Sequence, residues 1–588
     1  MLYYKKKKEK RSEVIILKVL NFNSDSIIST YYCDKKIPYV IPIESNLCFT
    51  IFIKDIKNFI CHHKNIVLVK LYRNKFTNVK KIKGKIIRLL GNTMNSKVVH
   101  DITLLRNSIP YKWNKKIYKQ VNGIKKKKNI FHKKNRYDFR HIPFVTIDDK
   151  DAYDFDDAVY CEKNSDNSWF IFVAISDVSH FVKTGTPIDI EAKKRGMSLY
   201  LPLQVISMLP DKLSTDICSL KPNTDRFALV CKIHLSKSGD LLNYKYFKSI
   251  ICSKERLTYS QILKIWNKNK KLNFISKNFF YSKKNFFDLY LVLKKSSLLK
   301  NKIPFENHDS KIITNKNLNV INIINKNRNI IHEFIELCMI LTNYTASDLL
   351  LKNKEIGIFR VHNHPKKDRI IEINFILKKL NLPLLNTVSI NSSEYVFLLK
   401  NIAKKYNYNF IQNILLRSMK KAVYNPINKG HFGLSLKKYT HFTSPIRRYS
   451  DLFIHRIIKD IIKKNENNYN YYDIKKMCDH LSSVEKNIDY TERWISDWMK
   501  KSFLKNYIGC IFFGFISNIN KYSYYIKLNY FFIEGIIRTS KKNQTFFCDI
   551  NNKKIFFKKG SVYFLGDYIT VKIKSINLQD NEIELSMV

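Results

Sequence analysis

Six aspartates stand within residues 148–157: Asp148, Asp149, Asp151, Asp154, Asp156 and Asp157. Carboxylates at that density raise one another's pKa and resist burial unless cations neutralise them. Any fold of this chain must bring the segment to a place where cations can meet it. The rest of the chain is opposite in sign, with 105 Lys+Arg against 49 Asp+Glu and a formal net charge of +56. A polyanion-attracting chain with one carboxylate nest points to metal-assisted chemistry on a nucleic acid. Lys, Asn, Ile, Tyr and Phe are abundant throughout, so a bias toward AT-rich codons explains part of the charge. The charge attracts RNA or DNA whatever its origin.

The 588 residues are enough for three or four domains, and a hydrophobic content of 45% is ample for folded cores. The 11 cysteines form no CxxC pair and are odd in number, which argues against a disulfide framework and a zinc ribbon. Cys61-His62-His63 has no second ligand pair nearby. Met1-Leu2-Tyr3-Tyr4 followed by lysines lacks a signal-peptide core. No apolar run approaches the roughly 18 residues that span a bilayer. A soluble protein of the reducing cytoplasm, with no membrane partner, is the expectation.

Residues 1–95 read as short strands, since Phe49, Ile51 and Ile53 alternate, as do Val67, Val69 and Leu71. That pattern predicts a small barrel of OB type. A connector follows over 96–140, and its run Lys125–Lys128 is read as solvated charge. Residues 141–465 mix strands and helices: Trp169–Ile175 predicts a buried strand and Ile331–Leu351 a helix. Residues 466–505 read as a helical end to that domain. From 506 to 588 short strands return, over 511–516, 524–528, 533–537 and 568–576. They predict a second OB-like barrel, rich in aromatics and lysines. Bases stacking on aromatics over a basic groove is common single-strand binding chemistry, although some of these aromatics must form the barrel's core.

Mg²⁺ and Mn²⁺ prefer oxygen ligands, and two such ions can clamp the attacking and leaving oxygens of a phosphodiester. Asp148, Asp154, Asp156 and Asp157 could supply the set. In an extended strand Asp156 and Asp157 would point to opposite sides, so a turn is expected to bring both to the metals. A calcium loop fails: counted from Asp149, its sixth position is Asp154 rather than Gly and its twelfth is Tyr160 rather than Glu. A second constellation lies in Tyr439–Tyr449. Ser444 is the expected N-cap, and Pro445 the first residue, of a helix carrying Leu452, Phe453, Ile457 and Ile461. Arg447 and Arg448 in a first turn suit a docked phosphate, while one of them could instead pair with Asp451.

These segments together resemble the RNase II family of exoribonucleases over nearly the whole chain, and its RNase R branch most closely. The resemblance rests on the aspartate motif, on Leu213-Ser214 through Cys218-Ser219-Leu220-Lys221-Pro222 and Asp225-Arg226, and on His431-Phe432-Gly433-Leu434 and Ser444–Leu452. It implies an α+β catalytic domain of RNB type flanked by an N-terminal cold-shock-like barrel and a C-terminal OB-fold barrel. It further implies processive 3′→5′ hydrolysis of single-stranded RNA to nucleoside 5′-monophosphates at a Mg²⁺ site, in RNA turnover and quality control. By the same resemblance, Asp148, Asp154, Asp156 and Asp157 are catalytic or metal-binding. Tyr200 and Phe305 form an aromatic clamp on the terminal bases. Arg447 meets the reacting phosphate, and Glu336 and Arg448 contact the RNA.

Relatives carry two cold-shock domains where one N-terminal barrel fits here. Leu337 stands where a second acid is common beside Glu336, and Tyr153 replaces a common arginine. The expected partner is single-stranded RNA with a free 3′ end, with structured RNA or the ribosome as further partners. The expected state is a monomer. The competing readings are a non-catalytic RNA-binding protein or RNA chaperone, and a DNA-directed nuclease.

Overall fold

The computed structural model describes the chain except residues 1, 5–13, 17–25, 35–36, 44–48, 55–59, 73–81, 93–94, 127–134, 269–276, 306–308, 317, 327, 403–407, 466–468, 539–545, 550–553 and 558–559. Part of the lysine run at 125–128 lies outside the described residues.

The first barrel is closed by the strands Ser26–Asp34, Ile37–Pro42, Ile51–Ile53, Ile82–Gly91 and Ile66–Leu71. The alternation read in the sequence sends Ile51, Ile53, Val67 and Val69 into its core. The C-terminal barrel is built the same way from Ile511–Asn520, Ser523–Leu528, Glu534–Arg538, Glu582–Met587 and Tyr568–Asn577. Its aromatics divide between two jobs. Phe515, Tyr524 and Phe531 are buried, whereas Phe513, Tyr530 and Phe564 face solvent.

Between the barrels lies a seven-stranded sheet. Its order runs Glu255–Thr258, Val145–Asp148, Asp157–Lys163, Trp169–Ser176, Asp225–Leu235, Leu241–Cys252 and Tyr137–Asp138. Trp169–Ser176 occupies the centre and is buried on both faces, which explains its unbroken apolar run. Helix Ile330–Lys352 packs against the sheet, with Phe334, Leu341 and Leu350 at 0–1% exposure. Burying each such side chain contributes roughly 1.5–3 kcal/mol. This is the described helix long and apolar enough to cross a bilayer, unlike any run expected from the sequence, and 72% of its apolar window is buried within the protein. Leu337, the departure beside Glu336, belongs to this packed face.

The 34-residue helix Tyr471–Leu504 closes the domain. Leu481, Ile488, Ile495 and Trp498 dock it on the catalytic domain and connector, and Leu504 enters the C-terminal barrel's core. One element thus sets the position of the barrel relative to the site.

Candidate active site

The aspartate segment is held by backbone geometry. Asp148 ends the strand Val145–Asp148, opposite Thr258 of a parallel neighbour. Asp157 begins the next strand, opposite Ile175. The expected turn lies earlier, where the Ala152 amide donates to the Asp149 carbonyl. Residues 152–156 are irregular and stapled by the Leu213–Pro222 segment. Ser219 Oγ accepts from the Phe155 amide at 3.0 Å and donates to the Tyr153 carbonyl at 2.7 Å. The Leu220 amide donates to the Phe155 carbonyl at 3.0 Å. Asp156 and Asp157 therefore open onto the same hollow without a turn between them.

That hollow is a cavity of about 620 Å³ containing Asp148, Asp154, Asp156, Asp157 and Arg447 in its walls. Helix Ile330–Lys352 supplies another wall with His332, Glu336, Met339 and Asn343, the spacing of one helical face. An adjoining hollow of about 1250 Å³ shares Asp154, Tyr200, Tyr259 and His332 with it and extends to Glu492 and Lys500 of the closing helix.

Burial, and then repulsion by Asp157 and Asp154, pushes the Asp148 carboxyl up to about 8. Burial pushes Asp157 up to about 6 and Asp156 well above the ordinary carboxylate range. Arg447 offsets part of this for both. Four hard oxygen donors short of positive charge fit a divalent cation such as Mg²⁺ or Mn²⁺. Among the described residues, no three His, Cys, Asp or Glu side chains already close on one point as metal ligands. The aspartates share a cavity rather than a finished coordination sphere.

The arginine segment departs from expectation. Its helix spans Tyr449–Lys463 with Arg448 at the N-cap position, so Ser444 is not the cap. Residues 445–447 form a turn instead, in which the Arg447 and Arg448 amides approach the Ser444 carbonyl at 3.3 and 3.0 Å. The reason is tertiary: Ser198 N donates to Arg447 O at 2.9 Å and Tyr449 N to Gly196 O at 2.8 Å. Those partners draw the segment out of helix.

The two arginines then separate in role. Arg447 is 44% exposed and places Nε 3.9 Å from Asp156 Oδ2. Arg448 directs Nη2 at Asp451 Oδ1, 2.7 Å away, with Asp451 fully buried. Although Arg448 lines the cavity wall, its guanidinium is committed to an internal carboxylate.

Tyr200 lies at the junction of the hollows, and its hydroxyl donates to Asp154 Oδ2 at 2.8 Å. Phe305 does not join it. It lines neither hollow and packs half-buried against the cluster containing Ile370, Tyr395 and Phe432. The Ile303 amide fixes this loop by donating to the Gly433 carbonyl at 3.1 Å. Glu336 reaches the cavity wall paired with Lys302 and Arg328.

Sequence reasoning missed Tyr259 and His332, whose rings stack at 3.8 Å on the cavity wall. Asn343 was missed too; its Oδ1 accepts from Phe442 N at 2.8 Å and Thr443 N at 3.2 Å. For His332 and Asn343 a signal exists, since both fall on the Glu336 face of a helix that the sequence predicts.

A sheet-borne carboxylate cavity with an arginine at its rim, between two OB-type barrels, defines a phosphodiester hydrolase of the RNB class. The RNB domain family matches residues 136–464, and the cold shock domain family matches residues 39–114. Ribonuclease R of Buchnera aphidicola subsp. Schizaphis graminum is 43% identical, covering 98% of this chain and 81% of its own length. Ribonuclease R of Escherichia coli K12 is 35% identical, covering 98% of this chain and 73% of its own. The structure of Mycoplasma genitalium RNase R in complex with ribose-methylated single-stranded RNA superposes with a TM-score of 0.92 at 25% identity. It covers 100% of this chain and 94% of that one. The chain belongs to the ribonuclease R family of metal-dependent 3′→5′ exoribonucleases.

Proposed function

We propose that the chain degrades single-stranded RNA processively from its free 3′ end to nucleoside 5′-monophosphates, using Mg²⁺, in RNA turnover and quality control. The observation carrying this reading is the meeting of Asp148, Asp154, Asp156, Asp157 and Arg447 in one cavity beside Tyr200. The single-stranded RNA bound by the Mycoplasma genitalium relative supports the substrate class.

In this reading residues 141–465 with their helical end at 466–505 carry catalysis, and the barrels at 1–95 and 506–588, joined through 96–140, grip the RNA. The four aspartates would hold the ion, which when bound supplies Lewis acidity and an activated water. Asp156 is aimed by the Ile446 amide, which donates to its Oδ1 at 2.9 Å. Arg447, held by Ser444 Oγ at 3.2 Å, meets the charge that builds on the reacting phosphate. Arg448 and Asp451 brace that turn from behind. Tyr200 offers its ring to the terminal base, and Glu336 faces the terminal nucleotide from the helix. Phe513 and Tyr530 are exposed and would stack on upstream bases. The described cysteines are all free, which fits a cytoplasmic protein, and a monomer is the expected state.

The test uses purified protein and 5′-labelled single-stranded RNA, with Mg²⁺ or with EDTA, resolved on a sequencing gel. Metal-dependent collapse to one short limit product supports the reading; retarded but intact RNA in both conditions refutes it in favour of an RNA-binding protein. Equal cleavage of a matched DNA strand would instead show a nuclease blind to the 2′-hydroxyl. Tyr200→Ala is expected to change the length of the limit product, because it removes the ring whose hydroxyl meets Asp154. Phe305→Ala, set back in its cluster, is expected to change it less.

Metal binding should also depend on pH. With no cation bound, the raised Asp148 and Asp157 pKa values favour folding below about pH 4, the ordinary carboxylate value. That contribution is lost as pH rises through about 6 and about 8. A cation binds the ionised form and restores it. Mg²⁺ at a hundredfold excess over its Kd stabilises by about 2.7 kcal/mol. Calorimetry should therefore show a larger Mg²⁺-induced rise in Tm at pH 8.5 than at pH 5.5. An equal rise at both would place the ion elsewhere.

A further inference from the structure

Resting on the metal reading above, we propose that the Tyr200 hydroxyl positions Asp154 for the cation, so that one residue ties the seat of the terminal base to the metal site. Stacking uses only the ring, and a phenylalanine would stack as well. The hydroxyl has a separate partner, Asp154 Oδ2 at 2.8 Å. A donor on one carboxylate oxygen fixes the plane and rotamer of the group, which is how outer-shell hydrogen bonds orient metal ligands.

Tyr200 is itself rigidly mounted. It lies in a two-residue strand, Leu199–Tyr200, paired with Val205–Ile206. Leu199 and Leu201 on either side are buried, while Tyr200 is 41% exposed. Its amide donates to Glu492 Oε1 on the closing helix at 3.0 Å. The Ser198 amide two residues earlier donates to the Arg447 carbonyl at 2.9 Å. The ring is thus referenced to the closing helix and the arginine turn, and its hydroxyl to a metal-binding carboxylate. A base that moves the ring moves Asp154's donor with it. Binding of the RNA end and binding of the cation are linked, and linkage of this kind is reciprocal.

Two variants of the full chain separate the roles. Mn²⁺ binding to RNA-free protein is measured by the loss of the free-ion electron paramagnetic resonance signal, beside the limit product on a sequencing gel. Tyr200→Phe is expected to weaken Mn²⁺ binding about tenfold, the lower end of the outer-shell range, with the limit product kept at wild-type length. Tyr200→Ala is expected to weaken Mn²⁺ binding similarly and to change the product as well. Mn²⁺ affinity within about twofold of wild type in Tyr200→Phe would overturn the proposal, as would a changed product length in that variant. If Asp148→Asn leaves wild-type Mn²⁺ binding intact, the metal reading itself fails, and the positioning role falls with it. Unchanged Tm of both Tyr200 variants in EDTA would exclude misfolding as the cause.

Discussion

Asp156→Asn is expected to abolish turnover while leaving RNA binding nearly intact. Asp156 is 6% exposed and meets the site through two contacts, the Ile446 amide at 2.9 Å and Arg447 Nε at 3.9 Å. Asparagine has the same shape, and its carbonyl can still accept from Ile446, so the fold is preserved. What disappears is the negative charge. In the proposed mechanism that charge holds a cation and orients Arg447, and metal-based charge stabilisation is worth several kcal/mol. A loss of about 4 kcal/mol corresponds to about a thousandfold in rate. In the proposed reading the barrels and basic surface grip the RNA, so removing one buried carboxylate should not weaken binding. Single-turnover decay of labelled RNA, with filter binding in parallel, makes the comparison. Binding lost to the same degree as activity would show that Asp156 serves structure or substrate grip instead.

The second large effect concerns stability. Asp177→Ala is expected to destabilise the catalytic domain by about 3–5 kcal/mol, the cost of leaving buried charges unpaired. Asp177 is 0% exposed. Its Oδ2 accepts from Arg136 at 2.8 Å, and its Oδ1 from Lys459 and from Ser179 at 3.0 Å. Burial alone would raise this carboxyl, but Lys459 and Arg136 more than reverse that and hold it far below the usual range. Burial lowers the Lys459 ammonium to about 8. The knot joins the end of the connector, the end of the central strand and the helix that follows the arginine turn. Alanine leaves two buried cations facing each other. Because the folded pKa of Asp177 is depressed, its contribution is complete above the ordinary carboxylate value near 4 and is lost only as acid drives pH down through the folded value. The variant's deficit should shrink in strong acid, where Asp177 of the wild-type protein loses its charge. Urea unfolding followed by tryptophan fluorescence reads it, and a deficit below about 1 kcal/mol would contradict the ion-pair account.

Much of this architecture is legible in local pattern. Alternation in Ile51–Ile53 and Val67–Leu71 predicts strands because side chains alternate across a pleat, whatever lies around them. Trp169–Ile175 predicts a buried strand because an unbroken apolar run of that length has no polar face to expose. The carboxylate nest predicts a shared cavity, since that many like charges need cations wherever they fold. Local pattern misleads where a distant partner outweighs it. Ser444-Pro445 is a sound helix start by propensity, yet the helix begins at Tyr449, because residues 196–198 claim the Arg447 carbonyl and the Tyr449 amide. Phe305 reads as a clamp residue by resemblance, yet its loop is tied to Gly433 and its ring to a separate cluster.

The kind of elements and the chemistry concentrated at 148–157 are legible without the fold, because periodicity and charge density act over a few neighbouring residues. Which side chains meet is set by long-range packing. Ser219 staples the aspartate loop across 64 residues, Tyr200 reaches Asp154 across 46, and the Ile446 amide aims Asp156 across 290. Arg447 is open to the cavity while Arg448 is claimed by Asp451, although the two are chain neighbours of identical chemistry. Contacts of that range depend on how the sheet, the central helix and the closing helix pack, and that packing is a property of the whole core rather than of any segment.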